Sequence, residues 1–239
     1  MHVKSNPIFV ALDLPTPDQA LAIAQQVAPH VGGFKIGLEL FTAGGAAVVS
    51  AVQSLGADVF LDLKFHDIPN TVAKAVANAT RLNVQMMTIH CAGGPDMIRA
   101  AETSAQETAA AMNVDPPLIL GVTVLTSMDQ NQLQSIGVNQ VVEDQVAALA
   151  SMAMESGLRG LVCSPLELNR LRSILGPELA LVTPGSRAAS DALGDQKRVM
   201  GPIEALEAGA TRLVIGRPIY ASANPAQAAR SIAASIGMD

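Results

Sequence analysis

The sequence predicts an α/β fold, a (β/α)8 TIM barrel built as a single domain over residues 1–239, on three observations. The chain has 239 residues, of which 49% are hydrophobic and 15% charged, enough to fill one large core at the usual size of such a barrel. Eight apolar, strand-like runs alternate with segments of helical patterning. Polar and charged residues stand at the ends of those runs, where a barrel gathers its reactive groups. A doubly wound open sheet is the alternative that the alternation leaves.

The strand-like runs are 8–12, 33–36, 59–65, 85–90, 118–125, 160–164, 179–183 and 212–215. Between them, Val72, Ala75, Val76, Ala79 and Leu82 follow the i, i+3, i+4, i+7 spacing of one helix face. Thr16-Pro17 and Asn224-Pro225 each place a capping side chain before a proline suited to the first helical position. The stretch 184–197 has no apolar periodicity and reads as a long loop after the seventh strand, either an active-site lid or a plain surface loop. No linker, low-complexity segment or charge block divides the chain.

Several function classes are excluded early. A formal net charge of -6 without a basic cluster gives no electrostatic footprint for nucleic acid or an anionic membrane. No run approaches the roughly 20 apolar residues of a membrane span, and the polar start carries no secretory signal. Cys91 and Cys163 sit in apolar surroundings and read as buried small hydrophobes of a reducing compartment, so a cytoplasmic location is expected.

The most informative stretch is Leu61-Asp62-Leu63-Lys64-Phe65-His66-Asp67-Ile68-Pro69-Asn70-Thr71. In a β-strand, residues two apart share a face, so Asp62 and Lys64 are expected on one side, and Leu61, Leu63 and Phe65 on the other. An opposite charge about 4 Å away is worth roughly 4 kcal/mol at an effective dielectric near 20, which keeps a partly buried ammonium charged. Such an ammonium can deliver a proton. Taken alone, such a triplet is usually an ordinary ion pair on a solvated face. The wider pattern argues otherwise. Asp13 closes the first run and Lys35 sits in the second, so two of only five lysines lie in otherwise apolar strands. Buried lysines need partners, and alternating Asp, Lys, Asp, Lys neutralise one another around a small pocket. Asp67 adds a third acid beyond the strand, in a loop that need not face its own chain's pocket.

His66 and His90 are each accounted for as neutral, hydrogen-bonded histidines, and neither receives a proton-transfer role. No histidine and carboxylate set has metal-ligand spacing, and no Ser or Cys nucleophile motif is present, so neither metal nor cofactor is required. After the last run, Gly216 allows close backbone approach and Arg217 brings a forked cation, a pair suited to phosphate in the eighth unit of a barrel. A surface arginine after a turn is the plainer account of Arg217. Arg187 and Gln196, in the loop after the seventh strand, have the reach to meet the same anion.

Taken together, these residues resemble the orotidine 5'-phosphate decarboxylase family. The resemblance spans nearly the whole chain: Ala11-Leu12-Asp13, Phe34-Lys35-Ile36-Gly37, the Asp62 to Thr71 stretch, Val122-Thr123-Val124-Leu125-Thr126-Ser127, Thr183-Pro184-Gly185, Asp195-Gln196-Lys197-Arg198 and Ile215-Gly216-Arg217-Pro218-Ile219. It implies decarboxylation of orotidine monophosphate to uridine monophosphate, with Lys64 protonating C6 of the pyrimidine beside Asp62. It further implies a homodimer in which the partner subunit contributes Asp67 and Thr71. Lys35 and Asp13 would hold ribose hydroxyls and complete the charged catalytic network, Ile68 would join the substrate-binding residues, and Thr126 would contact the pyrimidine. Arg187, Gln196, Gly216 and Arg217 would bind the 5'-phosphate. Two rivals stand beside it. One is a Mg2+-dependent sugar-phosphate decarboxylase or synthase on the same barrel; the resemblance places a glutamate there where this chain has Lys35. The other is a catalytically silent barrel that binds a nucleotide phosphate.

Overall fold

The computed structural model of the chain describes residues 6–185 and 200–238. Eight parallel strands close into a barrel in chain order: β1 (Ile8–Ala11), β2 (Gly33–Gly37), β3 (Asp58–Phe65), β4 (Met86–His90), β5 (Leu118–Val122), β6 (Gly160–Val162), β7 (Ala180–Pro184) and β8 (Arg212–Ile215). Closure is made where Phe9 of β1 pairs Val214 of β8. The expected TIM barrel is therefore present, and the open sheet is not. Strand limits agree with the apolar runs to a residue or two, except that β5 stops at Val122 because Val124 to Ser127 turn over the barrel mouth.

Helices cover the outside: α1 (Pro17–Val27), α2 (Leu38–Gln53), α3 (Pro69–Arg81), α4 (Gly94–Met112), α5 (Gln130–Ser135), α6 (Val142–Glu155), α7 (Leu168–Leu175), α8 (Pro202–Glu207), α9 (Arg217–Tyr220) and α10 (Pro225–Ser235). The Thr16 hydroxyl accepts from the Gln19 amide at 3.3 Å, and the Asn224 carboxamide accepts from the Gln227 amide at 3.0 Å. Both caps thus work as their sequences promise, satisfying amides that lack intrahelical partners. Along α3, Val72, Val76 and Ala79 are buried while Lys74 and Asn78 face solvent, as the helical spacing requires.

Alternation along the strands feeds two separate apolar clusters. Phe9, Ala11, Phe60, Met86, Leu120, Val182 and Val214 fill the barrel interior. Ile8, Val10, Phe34, Ile36, Leu61, Met87, Ile89, Leu181 and Leu213 point outward to pack under the helices. This is the sorting that a two-residue period imposes on a closed sheet, and it plugs the barrel below its mouth.

One strand departs from it. The pairing of β3 with β4 shifts register between Leu61 and Phe65, and Lys64 lies in the left-handed region at φ 50. Plain alternation through 61–65 therefore ends at Lys64. A bulge re-aims a side chain at a barrel rim, and here the re-aimed residue is the lysine singled out by its sequence. A left-handed backbone is costly for a residue with a Cβ, so neighbouring bonds must hold it there.

Candidate active site

At the C-terminal ends of the strands lies a cavity of about 320 Å³. Its floor is the top of the interior cluster, Ala11, Phe60, Val162 and Val214. Its walls carry Asp13, Lys35, Asp62, Lys64, Thr126, Gly216, Arg217 and Tyr220. An apolar base with a few convergent polar groups is the usual form of a small-molecule site, and this is the end of a barrel where such sites occur.

The four charged residues from β1 to β3 form one continuous array. The Lys64 Nζ donates to Asp62 Oδ1 at 2.8 Å. On the other side, Lys35 Nζ stands 3.8 Å from Asp62 Oδ2 and donates to Asp13 Oδ1 at 2.9 Å. The centre of the array is the most enclosed: the side chains of Lys35 and Asp62 are 12% and 13% exposed, against 28% for Lys64 and 48% for Asp13. Burial by itself would raise the Asp62 carboxyl. The charges of Lys35 and Lys64, with hydrogen bonds from Lys64 and Thr88, outweigh it and hold the group below its ordinary value. Asp62 is thus a fixed anion between two fixed cations. Gly37 leaves the room this needs, because a Cβ there would stand 3.0 Å from Lys35 Nζ and 3.4 Å from Asp13 Oδ1.

Thr126 is half-buried and lines the cavity, as do Gly216 and Arg217 across from it. Asp67, Ile68 and Thr71 behave differently. All three are exposed, Ile68 to 66%, and none lines the cavity of its own chain. The Asp67 carboxylate accepts from the following amide of Ile68 at 2.6 Å, which shapes the entry into α3. Arg187, Gln196 and the greater part of the 184–197 stretch lie outside the described residues.

His66 and His90 lie near one another, with ring centroids 5.4 Å apart and planes tilted by 41°, and neither borders the cavity. Burial first, then the neighbouring His66 and Lys64, depress the affinity of His90 for a proton against the pull of Asp62. Burial pushes the Cys91 thiol up to about 12, and Cys163 is raised further still. Both thiols are therefore inert at neutral pH, as their sequence surroundings suggest. Among the described residues no group of histidines, cysteines and carboxylates is placed to hold a metal ion.

Two residues of the site escape sequence reasoning. Thr88, in the middle of β4, donates to Asp62 Oδ1 at 2.9 Å, yet in Met86-Met87-Thr88-Ile89-His90 it reads as one more β-branched strand residue. Tyr220 closes the wall behind Gly216, where a Cβ would touch its ring at 3.4 Å. Its being the only tyrosine of the chain, three residues after Arg217, was the available signal.

Comparison with known proteins agrees with this geometry. Residues 6–232 match the model of the orotidine 5'-phosphate decarboxylase / HUMPS family. Orotidine 5'-phosphate decarboxylase of Paramagnetospirillum magneticum is 49% identical over 98% of this chain and 99% of its own length. That of Moorella thermoacetica is 50% identical over 100% and 94%, respectively. The crystal structure of orotidine 5'-phosphate decarboxylase from Lactobacillus acidophilus superimposes with a TM-score of 0.87 at 35% identity, covering 97% of this chain and 99% of that one. By its fold and a match along nearly its whole length, the chain belongs to the orotidine 5'-phosphate decarboxylase / HUMPS family.

Proposed function

We propose that the protein converts orotidine 5'-monophosphate to uridine 5'-monophosphate and carbon dioxide in pyrimidine biosynthesis, without metal or cofactor, using Lys64 as the proton donor. The observation that carries this reading is the Lys64–Asp62–Lys35–Asp13 array over an apolar floor. The bond from C6 to the carboxylate breaks, its electron pair stays on C6, and carbon dioxide leaves. That pair lies in the ring plane and has no carbonyl to delocalise into, so it must be met by charge. The Lys64 ammonium supplies the field and then its proton, and solvent reprotonates the amine. Preorganised charge of this kind is usually the largest catalytic contribution, because nothing has to reorient as the anion forms.

The remaining residues divide by distance from the reacting carbon. Lys35 and Asp13 hold ribose hydroxyls, Thr126 contacts the pyrimidine, and Gly216 with Arg217 binds the 5'-phosphate, joined by Arg187 and Gln196. Binding energy from the remote phosphate is then available to the transition state, so a substrate lacking phosphate loses turnover as well as affinity. Asp67 and Thr71 serve the partner's site in a homodimer, with Ile68 beside them at the substrate. Their exposure, away from their own cavity, supports this division. Mixing inactive Asp67→Ala and Lys64→Ala dimers, with subunit exchange, then restores about a quarter of wild-type activity, since half the dimers are mixed and each holds one intact site. No recovery despite proven exchange would contradict a shared site. Buried, unreactive cysteines support a cytoplasmic location, and no helix among the described residues is long and apolar enough to cross a membrane.

Lys35 argues against a magnesium-dependent sugar-phosphate enzyme. Its ammonium stands between the Asp13 and Asp62 carboxylates, and a divalent cation beside them would be repelled by it. The test is the ultraviolet absorbance of orotidine monophosphate mixed with purified protein in chelator. Conversion at an undiminished rate is expected; activity lost in chelator and restored by Mg2+ would overturn the reading.

A further inference from the structure

We infer that Thr88 is a positioning residue of this site: its hydroxyl ties the backbone of Lys64 to the same carboxylate that holds the Lys64 ammonium, fixing the lysine at both ends. The inference rests on the proposed role of Lys64. Thr88 is fully buried at 0% exposure, in the middle of β4, where a polar group is tolerated only if it is hydrogen-bonded. It has two partners. The Lys64 backbone N–H donates to Thr88 Oγ1 at 2.9 Å, and Thr88 Oγ1 donates to Asp62 Oδ1 at 2.9 Å.

The direction of these bonds is not a free choice. An amide N–H only donates and an ionised carboxylate only accepts, so the single hydroxyl proton must point at Asp62. The bonds therefore run one way, from the Lys64 amide through Thr88 to Asp62 Oδ1, which also receives the Lys64 Nζ at 2.8 Å. A closed ring joins the two ends of one lysine through two neighbours.

That ring sits where β3 breaks its register with β4 and where Lys64 takes its left-handed backbone at φ 50. At the break the side chain of Thr88 receives the amide of Lys64. The residue that satisfies the irregular backbone is thus the one that orients Asp62. Threonine suits the task because its χ1 is restricted by the branched Cβ, so the hydroxyl is aimed before any partner arrives. Serine keeps the hydroxyl with less constraint; valine keeps the shape and loses both bonds.

Thr88→Val, Thr88→Ser and Lys64→Ala separate the possibilities. For Thr88→Val the expected turnover loss is about 10- to 100-fold, the range for a lost hydrogen bond to a charged group. The KM for orotidine monophosphate should move less than about threefold, since no substrate contact is removed. Thr88→Ser should recover to within about tenfold of wild type. The acid limb of the kcat profile should also move to higher pH in the valine variant, because Asp62 loses one of its donors. The other groups facing Asp62 are Lys35 from β2, Lys64 on its own strand and His90 from β4, with Asp13 beyond Lys35. They are unchanged between variants, so the difference reports on Thr88. A purely structural threonine would lower the melting temperature and leave turnover per folded molecule, and the pH profile, where they were. If the valine variant does not fold, Thr88→Ala carries the same expectation. Turnover of the folded variant within twofold of wild type overturns the inference, and Lys64→Ala as the control shows what has failed. With Lys64→Ala inactive, only the role of Thr88 falls; with Lys64→Ala active, the proton-donor reading falls as well.

Discussion

The two mouths of this barrel use the same kinds of residue for opposite ends. At the N-terminal mouth, polar side chains bond to backbone. Asn6 Oδ1 accepts from the Ile8 amide, Gln85 Oε1 accepts from the Val59 amide, and Thr211 Oγ1 both accepts from and donates to Leu181. Arg172 is the extreme case, its guanidinium donating to the carbonyls of Gly176, Pro177, Leu179 and Gly209 ahead of β7 and β8. At the C-terminal mouth, the charged array is joined side chain to side chain, Lys35 to Asp13 and Lys64 and Thr88 to Asp62, while the Lys64 amide adds a backbone bond to Thr88. One mouth uses its polar groups to finish the sheet. The other holds charge in place over a cavity and keeps a lysine in a strained backbone to do so. Polar groups that finish the sheet and charges held over the cavity thus stand at opposite ends of the same strands, with the apolar plug of Phe9, Phe60, Met86 and Leu120 between them.

Substitutions at the two ends should therefore fail in different ways. The largest effects are expected at Lys64, where even Lys64→Arg, which keeps a cation beside Asp62 but cannot release its proton, should lower kcat about 1000-fold or more. Next comes Asp62→Asn, which removes the anion between the two lysines; a loss of about 100- to 1000-fold is expected in steady-state turnover. Gly37→Ala crowds the Lys35–Asp13 pair without touching Lys64. About tenfold in kcat/KM is expected, read mainly in substrate affinity. Arg172→Met, at the other mouth, should reverse the pattern, with about 3 kcal/mol lost from unfolding in urea and kcat of the folded enzyme unchanged. A variant of Arg172 that lost turnover without losing stability would erase the distinction between the ends.

The smallest effect concerns pH. His90 binds its proton more weakly in the folded protein than in the unfolded chain, owing to burial first and then to His66 and Lys64. Its contribution to stability is therefore complete above about pH 6.5 and declines as pH falls from there toward the folded value, since the unfolded chain takes up the proton first. The melting temperature should drop on acidification through that window, and His90→Asn should flatten the drop. Asp62 works in a lower window. Its depressed carboxyl stabilises the fold above about pH 4 and ceases to do so as pH falls through its folded value.

How much of this was legible in the sequence follows the same division. The strands, the Thr16 and Asn224 caps and the face of α3 could be read because alternation, helical spacing and capping are local. The charged array was legible because a lysine in an apolar strand must find a carboxylate to stay charged there, and Lys35 and Lys64 do meet Asp62. What stayed hidden depends on contacts between strands. The left-handed Lys64 reads as an ordinary strand residue, since nothing in Asp62-Leu63-Lys64-Phe65 announces a register shift. Thr88 and Arg172 are common residues in common surroundings until β3 meets β4 and α7 meets the turns before β7 and β8. Asp67, Ile68 and Thr71 are singled out by the family resemblance alone, since their own chain gives them no place in the cavity.

Whether the Lys64 ammonium provides both the field and the proton that let carbon dioxide leave is decided by the turnover of orotidine monophosphate by Lys64→Ala, measured alongside its affinity for uridine monophosphate. Turnover reduced by about 10,000-fold or more with the nucleotide still bound is expected. Turnover within tenfold of the unsubstituted enzyme would contradict that role.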